Sequence, residues 1–584
     1  MSEQDEQPQT KKIRTEGLLD ILSPHILTLE CKALNENYAM ATPYPHGRME
    51  KMFREGFLEK VLDEVKSTSV VKFKESDLFR VYQSIDLGNL ADDAPQAMEL
   101  PSLLELKRAI YSREYRNFIE RVVGIPQGTL TEQVDCAVNC HISGCHLLCH
   151  DDVIGTRKVS YIIYLTEEGW KKEEGGALEL YESELDSQQR RVPKPIPSKT
   201  LLPIFNTMAY FVVVPGQSFH AVQEVFGERP RLSIQGWYHA KEKPENMEEA
   251  TLSQLKSTLK GEDTEGVFIA FDENDHDQLL VLPKEDIEHL SKYMNTTYIT
   301  EESIAEIRNR FEIDSSVQLR SFIQPEWINK INSACAKRDE KFGNGNPVLD
   351  YNAGVDKDWK IVGPAHKQRF LEYTGTSDGD MAGSVMAQIR RELLESLAFG
   401  RFLNCITGLG MPLGHRGRVR RFRPALDYTV AHYGILTTQS VLDATLCFAA
   451  GNGKQCLMDE ETGDLVGSDD DAIWASGDCG GFECYIAADD DSDEGHEEAA
   501  DEYNADDDTE LLSVSASNNT LSLVYRDPGT MRFVKYVGCR APSSRWDLSM
   551  EYEVQVTESD DECTETDDTV EGRGHGVNGG DNVD

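Results

Sequence analysis

Residues 147–152 read LLCHDD, and within them His150 and Asp152 form an H-x-D pair at the end of a predicted strand. Alternate residues of an extended segment point to one side, so both can meet one ion. His220 follows seventy residues later in PGQSFHAV, next to another predicted strand. Two imidazoles and one carboxylate make the facial triad of non-haem Fe(II) oxygenases, which leaves positions open for substrate and oxygen. Arg231 comes eleven residues after His220, at the start of the next predicted strand. Its planar fork of donors grips a carboxylate through two parallel bonds. A 2-oxoglutarate co-substrate requires this, because its keto-acid end chelates iron and its far carboxylate needs a fixed cation. H-x-D alone arises often by chance. The ordered set of H-x-D, Gly-Gly before a strand, His and then Arg is far more specific.

Blander readings exist for each residue taken singly. His150 and Asp152 can be a surface pair at a strand end, and His220 a satisfied core histidine. Zinc competes for the same stretch, where Cys136, Cys140, Cys145 and Cys149 interleave with His141, His146 and His150. Their spacing is not the CxxC pairing of structural zinc, and small buried thiols in an apolar strand region explain them better.

The elements that must position these residues read as mainly β with flanking helices. Met49, Met52, Phe53, Phe57, Val61, Leu62 and Val65 fall at helical spacing, as do Leu103, Leu106, Ile110, Phe118, Ile119 and Val122. Short β-rich runs follow at 158–165, 177–181, 208–214 and 231–238, punctuated by Gly175-Gly176, Pro203, Pro215-Gly216 and Pro230. Many short strands after a helical preface predict a jelly roll buttressed by helices. The second half repeats the alternation. Ile304, Ile307 and Phe311 mark one helix, Leu290 a shorter one, and 387–407 a longer one. Strands are expected at 428–435, 440–448, 481–486, 520–525 and 531–537.

The two halves also share motifs. NTMAYFVVVPG (206–216) matches NTLSLVYRDPG (519–529) without gaps at an offset of 313. Gly175-Gly176 resembles Gly480-Gly481, and His150 resembles His432, each before a strand. Two copies of one β-fold follow. The second copy lacks the ligands. Its counterpart of H-x-D is His432-Tyr433-Gly434, and at offset 313 Phe533 stands for His220.

Length and charge set the remaining bounds. The 584 residues allow several domains. Against 59 basic residues stand 103 acidic ones, a net charge of −44. That disfavours a general nucleic-acid binder, and with it a nucleic-acid demethylase. Residues 489–510 hold 13 Asp or Glu without Lys or Arg, and residues 551–584 hold 12 with Arg573 as their one basic residue. Such blocks bury nothing and repel themselves. We expect a disordered tail over 1–18, a catalytic domain over 19–242, a linker over 243–262, and a second β domain over 263–550. The insert 489–510 and the tail 551–584 are expected to be acidic and disordered. No secretory signal or membrane-spanning run is evident, which points to a reducing setting with free thiols. Lys11, Lys12 and Arg14 form a weak nuclear-signal candidate.

LLCHDDVIGTRKVSYIIYL, followed by GGALELY, NTMAYFVVVPGQSFHAVQEV and RPRLSIQGWYH, resembles the Tpa/Ofd-type prolyl 3-hydroxylases. These are eukaryotic 2-oxoglutarate oxygenases that act on a decoding-centre proline of a small-subunit ribosomal protein. RFRPALDYTVAH (421–432) resembles a motif of that family's second domain. The resemblance covers most of the chain and implies two double-stranded β-helix (jelly-roll) domains, the first catalytic and the second degenerate. It implies Fe(II), with 2-oxoglutarate and O2 as co-substrates and L-ascorbate as a helper. By motif, His150, Asp152 and His220 would hold iron, and Arg231 with Tyr164 would hold the far carboxylate. Hydroxylation at proline C3 would affect translation accuracy or termination, in nucleus and cytoplasm. Translation termination factors or a transcription-factor regulator are further implied partners, and an oxygen-sensitive adaptor acting through the second domain is the alternative reading. One departure stands out. The family carries a tyrosine shortly before H-x-D, where this chain has Asn139, Cys140 and His141. His141 is the candidate replacement.

Overall fold

Strand alternation sorts the side chains of each half onto two faces. In strand Arg157–Tyr164, Val159, Tyr161 and Ile163 point outward to a helical layer, while Ile162 and Tyr164 point into the fold. The computed structural model describes residues 18–554 apart from 29–30, 69–70, 92–94, 257–265, 272–278, 343–349, 377–378, 437–438, 452–468 and 489–509. The acidic insert and both tails expected from the sequence fall largely outside the described residues.

In the first half an antiparallel sheet curls on itself. Its strands run in the order His46–Glu50, Thr207–Val212, Arg157–Tyr164, Arg231–His239, Ala137–His141 and Phe79–Ser84, then His146–His150, His220–Val222, Leu178–Leu180 and Lys199–Leu201. Helices Phe57–Ser67, Pro101–Ile110 and Arg113–Val123 cover the outer face, packing Phe57, Leu58, Val61, Leu103, Ile110 and Ile119 against Val159, Tyr161, Ile163, Met208 and Ile234. The Arg113–Val123 helix is capped at both ends. Ser112 accepts the Tyr115 N–H, and Gly124 takes the left-handed conformation at φ 77. Met49, Met52 and Phe53, expected on the first helix, precede it instead. Met49 lies in strand His46–Glu50, and the helix starts after Gly56.

The second half repeats the arrangement: Ser316–Arg320, Thr520–Arg526, Val441–Phe448, Arg545–Glu553 and Gly414–Phe422 pair in that order. Thr530–Val534 lies beside Glu483–Ala487 in the facing sheet. Helices Glu301–Asp314, Pro325–Phe342, Met381–Ile389 and Leu397–Thr407 cover its outer face. The helix expected over 387–407 is interrupted by a π turn at Arg390–Leu394 and restarts where Ser396 accepts the Phe399 N–H.

The repeat has a physical signature. Asn206 and Asn519 both adopt positive φ, at 55 and 52. Asn206 clasps the backbone of Phe53, accepting its N–H at 2.8 Å and donating to its carbonyl at 2.9 Å. Asn519 clasps Ile323 in the same way, at 2.7 and 3.0 Å. Each asparagine thereby locks the central sheet to the segment entering from the helical layer.

Regular structure extends into the segments expected as linker and tail. The linker contains helix Thr251–Leu255, with Ala250 packed on Val153 and Val213 and Leu255 on Leu148. The last strand continues through Glu553, past the expected start of the tail, because Glu551 is buried in ion pairs with Arg416 and Arg526.

Candidate active site

Three side chains converge where two short strands meet. His150 ends strand His146–His150, His220 begins strand His220–Val222, and the two residues face each other directly in register, with ring centroids 4.3 Å apart. The chain then turns: Asp152 has φ 64. The H-x-D segment is therefore not extended. Asp152 reaches the histidines through a left-handed turn rather than through strand alternation. Its carboxylate bridges them, with Oδ1 3.2 Å from His150 Nε2 and Oδ2 3.3 Å from His220 Nε2. One ligand atom from each residue lies within 4.8 Å of the others, and this is the one such His/Cys/Asp/Glu group of three or more among the described residues.

Electrostatics and hydrogen bonds prepare the group for a cation. His150 Nδ1 is 2.8 Å from the Leu148 carbonyl, and His220 Nδ1 is 2.8 Å from the Ser218 carbonyl. Carbonyls only accept, so both Nδ1 atoms carry hydrogen and both Nε2 atoms turn toward Asp152 as prospective ligands. Burial alone would raise the Asp152 carboxyl, but His220 and His150 hold it well below the usual carboxylate range. An anionic carboxylate and two imidazole Nε2 atoms are the donor set that Fe(II) takes in facial triads.

Beside this group lies a pocket of unused donors. Arg231 is fully buried, and its Nε donates to the Gly176 carbonyl at 2.6 Å. Gly176, at φ 68, leaves room for this approach, since a Cβ there would come within 2.8 Å of Arg231 Cδ. The guanidinium carbon stands 5.2 Å from the centre of the Tyr164 ring. Arg231 Nη2, the Tyr164 hydroxyl and Asn139 Nδ2 are all buried without a hydrogen-bond partner of good geometry among the described residues. Ser233 sits opposite both Tyr164 and Asn139 in register, so these side chains share one inner face of the sheet. Arg231 Nη2 with the Tyr164 hydroxyl and Asn139 Nδ2 on the same face fits a carboxylate ligand, whose oxygens only accept. His141 lies opposite Arg231, with Nδ1 3.5 Å from Nη1, and burial keeps its imidazole neutral. Arg229, by contrast, faces outward and pairs with Glu174 at 2.5 Å.

Tyr44 and Phe211 form an apolar wall next to the histidines. Phe211 packs edge-on to His220 at 4.8 Å, and the Tyr44 hydroxyl donates to the Phe219 carbonyl at 3.3 Å. The cysteines take no part. Cys136, Cys140, Cys145 and Cys149 are free thiols, and burial pushes Cys136 up to about 12 and Cys140 up to about 11. They are protonated thiols, not thiolate ligands. Tyr44 and Ser233 were not singled out by sequence reasoning, although strand alternation from Arg231 would have reached Ser233, and Asn139 was noted only as standing where the family has its tyrosine.

Comparison with known proteins agrees with this geometry. The model of the 2OG-Fe(II) oxygenase superfamily matches residues 136–239, and that described as oxoglutarate and iron-dependent oxygenase degradation C-term matches 285–561. Prolyl 3,4-dihydroxylase OGFOD1 of Ostreococcus tauri is 38% identical over 87% of this chain and 95% of its own length. The chain belongs to the OGFOD1 family of prolyl hydroxylases. Prolyl 3-hydroxylase OGFOD1 of Xenopus laevis is 28% identical over 85% of this chain and 84% of its own. Prolyl 3-hydroxylase sudestada1 of Drosophila melanogaster is 24% identical over 85% and 79%. Membership makes the chain an Fe(II)- and 2-oxoglutarate-dependent dioxygenase. The curled antiparallel sheet with flanking helices is the jelly roll of that superfamily. No helix among the described residues is long and apolar enough to cross a membrane.

Proposed function

We propose that this enzyme hydroxylates C3 of a proline in a small-subunit ribosomal protein, using His150, Asp152 and His220 to hold Fe(II) and Arg231 with Tyr164 to hold 2-oxoglutarate. The observation that carries the reading is the pairing of the triad with an adjacent pocket of orphaned donors. In balance, 2-oxoglutarate, O2 and a prolyl C–H give succinate, CO2 and a hydroxyprolyl residue. Bound Fe(II) supplies the activation of O2. The chain's own groups orient and exclude. Arg231, Tyr164 and Asn139 fix the distal carboxylate, and Tyr44 and Phe211 pack an apolar wall against His220. The net charge of −44 suits a basic protein substrate of the ribosomal kind. We further propose action in nucleus and cytoplasm, an effect on translation accuracy or termination, and L-ascorbate as the reductant that keeps iron ferrous.

The test is mass spectrometry of the ribosomal proline, alongside 2-oxoglutarate turnover, for the wild type and for His150→Ala and Asp152→Ala. Loss of both products in the variants with an intact fold is expected. Full turnover in both would remove the triad from the reaction. A second reading, a partner-binding role for the second half, is favoured by the filled interior of that half. There Arg532 ties Glu483, Asp443, Thr445 and Ser549 together in a buried network.

A further inference from the structure

Asp151, between His150 and Asp152, is 1% exposed and touches neither a histidine nor the carboxylate of the triad in any hydrogen bond given by the structure. Its side chain instead gathers three backbone N–H groups from three separate segments. Oδ1 accepts from Val153 at 3.3 Å, and Oδ2 accepts from Gly216 at 3.3 Å and from Thr251 at 3.1 Å. Its own carbonyl accepts the Ser218 hydroxyl at 2.9 Å, and the Ser218 carbonyl is the group that orients His220 Nδ1 at 2.8 Å. One buried aspartate therefore ties together the turn that delivers Asp152, the turn that precedes His220, and the first residue of helix Thr251–Leu255, which lies in the segment joining the two halves.

We infer that Asp151 is the positioning residue of the iron site, and that the joining segment, through Thr251, is part of the frame that sets the ligand geometry. This rests on reading His150, Asp152 and His220 as the iron ligands. Asp152 at φ 64 lies in the left-handed region, which a non-glycine residue keeps where its surroundings fix it. Asp152 itself is occupied by the two histidines, so the fixing falls to its neighbour. The Asp151 carboxylate is the group that meets the turn on both sides of the metal position. A carboxylate is required because all three partners are donors. An amide in its place would turn an NH2 group toward at least one N–H.

The test uses the full-length protein with Co(II) in place of Fe(II), read by calorimetric titration and by the Co(II) absorption spectrum. Asp151→Asn should weaken Co(II) binding by about 10- to 100-fold and alter the spectrum, with an unchanged far-UV circular dichroism spectrum. Thr251→Pro is the second variant. Proline suits the first position of a helix, and Ala250, at φ −65 and ψ 144, already has the backbone that precedes proline. It replaces the N–H facing Asp151 by a ring methylene, so it should also weaken Co(II), from a residue that touches no ligand. If Asp151→Asn does not fold, Thr251→Pro decides by the same readout. Wild-type Co(II) affinity and spectrum in the folded variants would overturn the inference, even if their melting temperature fell. A wild type that binds no Co(II), or a His150→Ala variant that binds it undiminished, would instead remove the iron-site reading and this inference with it.

Discussion

Arg231 and Arg545 hold the same place in the two halves: each opens the last strand of its sheet and each is buried, but only Arg545 carries its own carboxylate, Asp547, two residues on. In the first half that place belongs to Ser233, whose hydroxyl is 3.5 Å from Arg231 Nη1. The second half neutralises its arginine from within. The first half leaves Nη2 without a partner among the described residues, where the proposed 2-oxoglutarate carboxylate would complete it.

Ser233→Asp should therefore convert the first pocket into the second. The new carboxylate would pair with Arg231 and displace 2-oxoglutarate, raising its KM by at least about tenfold with the fold preserved. Arg231→Ala should raise that KM by about one to two orders of magnitude, the worth of a charge-assisted bidentate pair of roughly 1.5–3 kcal/mol. Arg231→Lys should recover part of the loss, because an ammonium lacks the planar fork. Arg229→Ala should leave the KM unchanged, as Arg229 is spent on Glu174 and the Trp170 ring. Steady-state kinetics on the four variants separate these outcomes.

The interior of the second half makes a stability prediction. Arg532 is 8% exposed at its side chain and bonds Glu483 at 2.8 Å and Asp443 at 3.0 Å. Removing one partner of a buried ion pair strands the others, which costs about 3–5 kcal/mol. Arg532→Ala should lower the urea midpoint accordingly, while the KM for 2-oxoglutarate of the folded fraction stays as in wild type. A loss below about 1 kcal/mol would mean that water reaches and satisfies the network.

How much of this was legible in the sequence depends on whether the information is local. His150, Asp152, His220 and Arg231 announce themselves by type and order, Tyr164 only through the family resemblance, and the Asn206 and Asn519 motifs announce the repeat. The chemistry requires those types, and a strand-entering Asn needs its left-handed backbone whatever surrounds it. Asn139 could not be read in this way, because its value lies in facing Ser233 across a strand pair. The left-handed turn at Asp152 was hidden as well, since an H-x-D inside a strand would look the same. The break in the 387–407 helix turns on Ser396 accepting the Phe399 N–H, a choice that helical periodicity does not show.

Glu224 gives a pH prediction. It follows the His220 strand, is buried, and accepts from Cys539 N–H at 2.8 Å and the Tyr536 hydroxyl at 3.3 Å, both in the second half. Burial raises it to about 7, outweighing these hydrogen bonds and the nearby Arg540. The folded state thus keeps the proton where the unfolded chain, with an ordinary glutamate pKa near 4.5, has lost it. Its contribution is fully present below about pH 4.5 and is lost as pH rises toward 7, by on the order of 3 kcal/mol. Glu224→Gln should remove that slope. Urea unfolding between pH 4 and 8 would show the wild type minus variant difference changing across this window and flat above it. A difference independent of pH would mean that folding leaves the Glu224 pKa at its unfolded value.

The His220 strand also bears on how such enzymes can be recombined. Its flank residue Glu179 is held by Tyr351 as well as by Tyr181 at 2.8 Å and Gln223 at 2.7 Å, and Arg369 reaches across to the Tyr181 hydroxyl at 3.3 Å. Tyr351 and Arg369 belong to the half that has lost the ligands. A chimera joining the first half of one relative to the second half of another would therefore inherit its catalytic residues intact and still misplace one of them, unless the border residues travelled along. The half without the ligands therefore shares in holding the strands that place His220.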